Sequence, residues 1–210
     1  MLAYLRDPQE IYRLSFETIR REAPVDGLPS DIAGMAVRLI HACGMTDILG
    51  DLVFSPDIVQ AGRAALAGGA PLLCDTAMTA GGIIRRHLPA ANEVLAGTEN
   101  PETVEAARRI GNTRSAAAVD LWGERLDGAV VVIGNAPTAL FRLIERIDLD
   151  GYRPAAVLGF PVGFVGAAES KALLIDAGLG IPYVTLQGRR GGSALAAAAV
   201  NALLIGDGPA

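Results

Sequence analysis

Three short apolar runs constrain this chain more than any other feature: Ala129 to Ile133, Ala155 to Leu158 and Pro182 to Leu186. Each is brief, β-branched or continuous in hydrophobicity, and flanked by helical patterns. A strand with one wet face alternates apolar and polar residues, so an unbroken run reads as a strand covered on both faces, the condition of a parallel sheet between helical layers. Pro71-Leu72-Leu73-Cys74, leading into Asp75-Thr76, reads as a further strand of this kind. The alternation of strand and helix predicts an α/β fold in three layers, with a mainly parallel doubly wound sheet of about four or five strands and helices on both faces. In such sheets ligands bind outside the carboxyl ends of the strands.

Three glycine turns are expected at those ends. The blocks are Gly111-Asn112-Thr113-Arg114-Ser115-Ala116-Ala117-Ala118, Gly134-Asn135-Ala136-Pro137-Thr138-Ala139-Leu140-Phe141 and Gly159 to Lys171. Each opens a helix with small or hydroxylated residues, and the first N–H groups of a helix have no partner within it. Several such starts aimed at one place suit a ligand with many carboxylates. Arg114 opposes the dipole of a helix capped by Asn112 or Thr113, which an anionic ligand would turn into an advantage; an ion pair with a nearby carboxylate is the other reading. Lys171, Arg189 and Arg190 are further cations at these turns. A nucleotide is disfavoured, because Gly159, Gly163 and Gly166 are spaced G-x-x-x-G-x-x-G rather than G-x-G-x-x-G.

The 210 residues suffice for one sizeable core, and one domain over 1–210 is expected. With 18 basic against 23 acidic residues the net charge is −5, which argues against nucleic-acid and membrane-surface partners. Asp7, Glu10 and Glu17 interrupt the first apolar stretch, so no signal peptide is read and a cytoplasmic protein is expected. The Ala-rich stretch Gly191 to Gly206 reads as a buried helix. Cys43 and Cys74 are expected to be free thiols, and no Cys/His cluster at ligand spacing suggests a metal.

Asp7 and Pro8 open a helix over 7 to 22; Ser30 is expected to cap a second, ending at Gly44; Ser55-Pro56-Asp57 opens a third, ending at Gly68-Gly69. On the second helix His41 falls opposite Ile32, off the stripe Ile32, Ala36, Leu39 and Cys43, beside Gly34 and Val37. That side is expected to border a cavity or another chain, and histidine is the side chain suited to proton transfer near neutrality. Ser15 sits mid-helix, where a core serine bonded to its own helix and a functional serine are both open readings. His87 is expected to sit near a helix end in a capping role.

The segments Tyr12-Arg13-Leu14-Ser15-Phe16, Ile40-His41-Ala42-Cys43-Gly44, the three glycine blocks and Gly188-Arg189-Arg190-Gly191-Gly192-Ser193-Ala194 together resemble the precorrin-8X methylmutase family of cobalamin biosynthesis. The resemblance implies an isomerase that needs no cofactor. It would convert the tetrapyrrole precorrin-8X to hydrogenobyrinate by a 1,5-sigmatropic methyl shift on ring C. It implies a catalytic His41, with Ser15 and Arg114 in the same site, and a homodimer with the site near the subunit interface. Substrate contacts are then expected from Asn112, Thr113, Ser115, Asn135, Thr138, Gly163, Lys171 and Arg189, while contacts from residues 76–87 stay open. The alternatives are a cobalt-precorrin-8 methylmutase, a non-catalytic corrinoid carrier, and a hydrolase using Ser15 or Ser170 with His41, which lacks a G-x-S-x-G turn.

Overall fold

The structure is a computed structural model that describes Leu2 and residues 4–206. Its centre is one six-stranded sheet in the order β1-β6-β5-β4-β2-β3. The strands are β1 (Leu52–Phe54), β2 (Leu72–Cys74), β3 (Val94–Ala96), β4 (Val130–Ile133), β5 (Ala156–Gly159) and β6 (Tyr183–Leu186). All neighbours run parallel except β1, which lies antiparallel on β6 with Leu52 opposite Leu186.

The unbroken hydrophobicity of the strands has the expected cause. Along β4, Val130 and Val132 enter one core while Val131 and Ile133 enter the other. The first core is closed by α1 (Pro8–Glu22), α2 (Ser30–Cys43), α3 (Ile58–Ala67) and α9 (Ser193–Ile205). The second is closed by α6 (Arg114–Trp122), α7 (Pro137–Asp150) and α8 (Ala167–Asp176). The short α4 (Ala77–Gly81) follows β2, and α5 (Glu102–Ile110) packs beside α6. Helices therefore cover both faces, in the three-layer α/β arrangement.

β1 and β3 were not legible in the sequence. Each has three half-buried residues at or beside a sheet edge, too few to carry a period, and pairing to a neighbour holds them extended. The cap of α2 also differs from expectation. Ser30 is its first helical residue, Pro29 stands at the cap position, and no side chain caps it. Nor is α2 buried along a single stripe: every residue from Ile32 to Ile40 is buried, Gly34 and Val37 included, because α1 and α9 clasp it from two sides. His87 lies in a 3-10 turn, Arg85–His87, with its Nε2 buried and unpartnered among the described residues, rather than capping a helix.

Chain order and sheet order reverse between β2 and β4. From β2 the chain steps outward to β3, then crosses back and continues through β4, β5 and β6. The crevice at the carboxyl ends of β2 and β4 is thus the topological switch point, where a doubly wound sheet receives its ligand. α9 closes down tightly there. A Cβ placed on Gly134, just beyond β4, would lie 2.7 Å from Ser193 Cα, so only glycine lets the β4–α7 turn meet the start of α9.

Candidate functional site

At the switch point stands Asp75, fully buried at the end of β2. Its carboxylate accepts the backbone N–H groups of Gly134 at 3.0 Å, Asn135 at 2.7 Å and Ala136 at 2.9 Å, and the Thr79 hydroxyl at 3.0 Å. The start of α7 was expected to offer those N–H groups to a ligand; an acidic side chain of the chain itself already holds them. In the other turns the N–H groups expected to face a ligand also have partners within the chain, here backbone carbonyls and an amide side chain. Asn112 N donates to Ala107 O at 3.1 Å, Thr113 N to Asn112 Oδ1 at 2.7 Å, and Gly163 N to Arg189 O at 3.2 Å. Polar backbone groups in a tightly packed region pair internally, which sequence alone does not disclose. The signal that was present is an aspartate ending one parallel strand, beside a neighbouring strand that ends in an uncapped helix start.

The side chains at this rim remain open to ligand. Asn112, Thr113, Arg114 and Asn135 are exposed, and Ser115 and Thr138 are half-buried. Thr113 caps α6 by accepting Ala116 N at 3.2 Å, and its hydroxyl lies 2.7 Å from that of Thr138. The starts of α6 and α7 are therefore bound side by side, with Arg114 at the first position of α6. Among the described residues Arg114 has no carboxylate partner, so the ion-pair reading of this residue finds no support. Neighbouring Arg190 is different: its guanidinium is tied to Asp47 and Asp51, each at 2.6 Å. Lys171 is fully buried, and its ammonium donates to Arg190 O at 2.6 Å. Burial pushes its pKa down to about 8, against the opposing pull of Asp51. Its position behind the turn braces the backbone and offers a ligand no direct contact.

The second part of the site is carried by α1 and α2, not by strand ends. Ser15 Oγ lies 3.2 Å from His41 Nδ1, so the residues 26 positions apart face each other where the two helices cross. The Tyr12 ring packs at 5.3 Å and the Phe16 ring edge-on at 5.2 Å from the imidazole, centroid to centroid. His41 is exposed at the helix end, yet the packed rings desolvate it, and with the Arg38 charge they hold its pKa below the usual histidine value. Two cavities meet at this ring. One of about 530 Å³ lies between α1 and α2, lined by Leu14, Ser15, Thr18, Ile40 and His41 among others. The other, about 310 Å³, reaches from His41, Tyr12 and Arg38 to Gly82, Ala194 and Asn201. Ala194 adjoins Ser193, whose hydroxyl bonds to Thr79 at 2.9 Å, and Thr79 bonds in turn to Asp75. A shared cavity wall and then a chain of hydrogen bonds thus lead from His41 to the switch point, although neither cavity is lined by Arg114. Ser170, the other serine considered as a nucleophile, is fully buried and bonded to Ala167 O.

A family model described as precorrin-8X methylmutase matches residues 10–205, nearly the whole chain. The chain belongs to the precorrin-8X methylmutase family. Methylmutases move a methyl group within one molecule, so the family is one of isomerases. A Pseudomonas aeruginosa relative named precorrin-8X methylmutase is 58% identical over 203 residues, covering 97% of this chain and 98% of that protein. A Sinorhizobium relative of the same name is 53% identical, with 95% of each covered. A relative from Salmonella typhimurium named cobalt-precorrin-8 methylmutase is 40% identical, with 96% of each covered. Among solved structures, a precorrin-8X methylmutase from Thermus thermophilus superposes with a TM-score of 0.84 at 40% identity, over 93% of this chain and 94% of that one. The fold of the methylmutases is thus the fold of this chain. Among its described residues, no helix is long and apolar enough to cross a membrane.

Proposed function

We propose that this chain converts precorrin-8X to hydrogenobyrinate, with His41 as the proton-transfer group. The observation that carries this reading is the Ser15–His41 contact at the junction of two cavities, within a chain of this family. A methyl shift on a conjugated macrocycle requires no nucleophile; it requires a proton on the right atom and a fixed ring conformation. Protonated His41 donates to the macrocycle, the methyl group migrates to the adjacent carbon of ring C, and the proton lost as conjugation returns goes back to the imidazole. Atoms and charge balance without a co-reactant.

Ser15 suits both halves of this cycle. Its hydroxyl donates to Nδ1 of the neutral ring and accepts from N–H of the protonated one. In the free protein, desolvation and Arg38 favour neutral imidazole. The carboxylates of a bound substrate offset the Arg38 charge and restore the proton. Arg114 takes a substrate carboxylate bidentately, with the Asn135 and Thr138 side chains beside it. The metal-free substrate is favoured over its cobalt form because the relatives at 58% and 53% identity are those named for precorrin-8X. The homodimer expected of the family would close the open face of the His41 cavities, where Leu5, Ile11 and Leu14 are exposed.

The test is turnover of metal-free precorrin-8X, followed by its visible spectrum, in parent, His41→Ala and Ser15→Ala proteins. His41→Ala is expected to lose about 10² to 10⁴-fold in rate while still binding hydrogenobyrinate. A folded His41→Ala protein with near-parental turnover overturns the assignment. Turnover of the cobalt substrate alone would move the chain to the other branch, and binding without turnover by the parent would make it a carrier.

A further inference from the structure

Beyond the residues placed so far, the turn between β5 and α8 carries side chains that neither core uses. Phe164 is 86% exposed and Val165 88%, beside Val162 at 40%. Large apolar groups held in water at the carboxyl end of a central strand mark a contact surface. The turn is held firmly. Gly163 at φ 141° donates to Arg189 O, Gly192 N donates to Phe160 O at 2.8 Å, and Lys171 fixes Arg190 O from behind. Two loops are thus joined into one rim, so Phe164 and Val165 are presented by fixed backbone.

The rim also has a charge pattern. Arg189 lies with its guanidinium 5.2 Å from the Phe164 ring centroid. Its neighbour Arg190 is spent on Asp47 and Asp51, whereas Arg189 is exposed and, among the described residues, pairs with no carboxylate. An aromatic ring and an aliphatic side chain with an unspent guanidinium at their edge complement one chemical class: a large, flat, conjugated molecule with carboxylates on its periphery.

We infer that Phe164 and Val165, with Arg189 at their edge, form a further binding surface for the macrocyclic substrate, the apolar pair meeting its conjugated face and the guanidinium a peripheral carboxylate. This rests on the function proposed above and adds Phe164 and Val165 to it, with Arg189, already expected as a substrate contact, tied to them through its place beside the Phe164 ring. The occupant is the polycarboxylate rather than a second copy of the chain because the rim lies on the carboxyl side of the sheet, at the end of the strand next to β4.

The test is spectrophotometric titration with hydrogenobyrinate, paired with sedimentation equilibrium, on the parent, Phe164→Ala, Phe164→Trp and Arg189→Gln. These positions are exposed, so folding should survive and far-UV circular dichroism checks it. Phe164→Ala is expected to raise Kd about tenfold, as loss of an aromatic contact of ordinary strength does, while Phe164→Trp stays near the parent. Arg189→Gln is expected to raise Kd and flatten its salt dependence. Equal Kd for Phe164→Ala and parent overturns the inference and leaves the His41 reading standing. Weakened self-association with unchanged Kd of the intact assembly assigns the rim to a second copy and also overturns it. A parent that binds no hydrogenobyrinate overturns the function reading and this inference together.

Discussion

Removing the Asp75 carboxylate should damage the carboxyl end of the sheet more than any surface change. Asp75→Ala strands three backbone donors, of which Gly134 N and Ala136 N are buried and Asn135 N partly so, while the Thr79 hydroxyl keeps Ser193 Oγ at 2.9 Å. A buried donor left without a partner costs about 1 to 3 kcal/mol, and partial relaxation toward water reduces the sum. Loss of an anion at a partly buried helix start adds up to about 2 kcal/mol. We expect Asp75→Ala to lose about 3 to 5 kcal/mol, and Asp75→Asn somewhat less because one acceptor oxygen survives. For a chain of this size that is a fall in Tm of roughly 6 to 20 °C, within the 5 to 15 kcal/mol typical of folded domains. Urea unfolding followed by circular dichroism measures it, with an unchanged slope confirming that the folded state is compared with like. Formate fits the space the carboxylate leaves, so it should raise the unfolding midpoint of Asp75→Ala more than that of the parent. A folded Asp75→Asn protein within about 0.5 kcal/mol of the parent, a difference typical of neutral surface changes, would refute the argument that these N–H groups depend on the charge.

The remaining predictions concern protonation. With burial and the Arg38 charge holding the free-protein His41 pKa below the usual histidine value of about 6.5, kcat/KM should fall as pH rises through a value under 6.5, since the acid form is then lost; kcat should hold to higher pH because bound carboxylates favour the imidazolium. NMR titration, with His87→Gln to assign the only two histidines, checks the free-protein value directly, and a His41 resonance titrating above 6.5 contradicts the desolvation argument. The Cys74 thiol, pushed up to about 12 chiefly by burial, should resist alkylation in the folded protein at pH 8 while half-buried Cys43 is modified. Mass spectrometry after iodoacetamide treatment shows which thiol reacts.

Local chemistry made several elements legible before any contact was known. Asp7 and Pro8 open α1 because an aspartate oxygen at that spacing reaches the Gln9 and Glu10 N–H groups, and it does. The four apolar strands declared themselves because residues enclosed on both faces have no polar side to alternate with. Helical geometry put His41 off the stripe Ile32, Ala36, Leu39 and Cys43, but the helix is buried on that side as well, and it is the place of His41 in the last turn of α2 that leaves it exposed. The resemblance carried by Tyr12 to Phe16 and Ile40 to Gly44 implied one site for Ser15 and His41 without giving the contact between them.

What depended on the tertiary structure is every relation between distant segments. β1 and β3 exist because neighbours offer them hydrogen bonds, not because three residues prefer to be extended. The 3.2 Å approach of Ser15 to His41 follows from how α1 crosses α2. Two of the three rim turns look bare in sequence because their acceptors come from elsewhere: Asp75 lies about 60 residues before the turn it caps, and Arg189 26 after the N–H it binds. Lys171 likewise reads as a surface cation until packing encloses it beneath Arg190. Sequence periodicity reports which side of an element is wet, because that is a property of one segment. Which donor meets which acceptor is a property of two, and only the folded chain decides it.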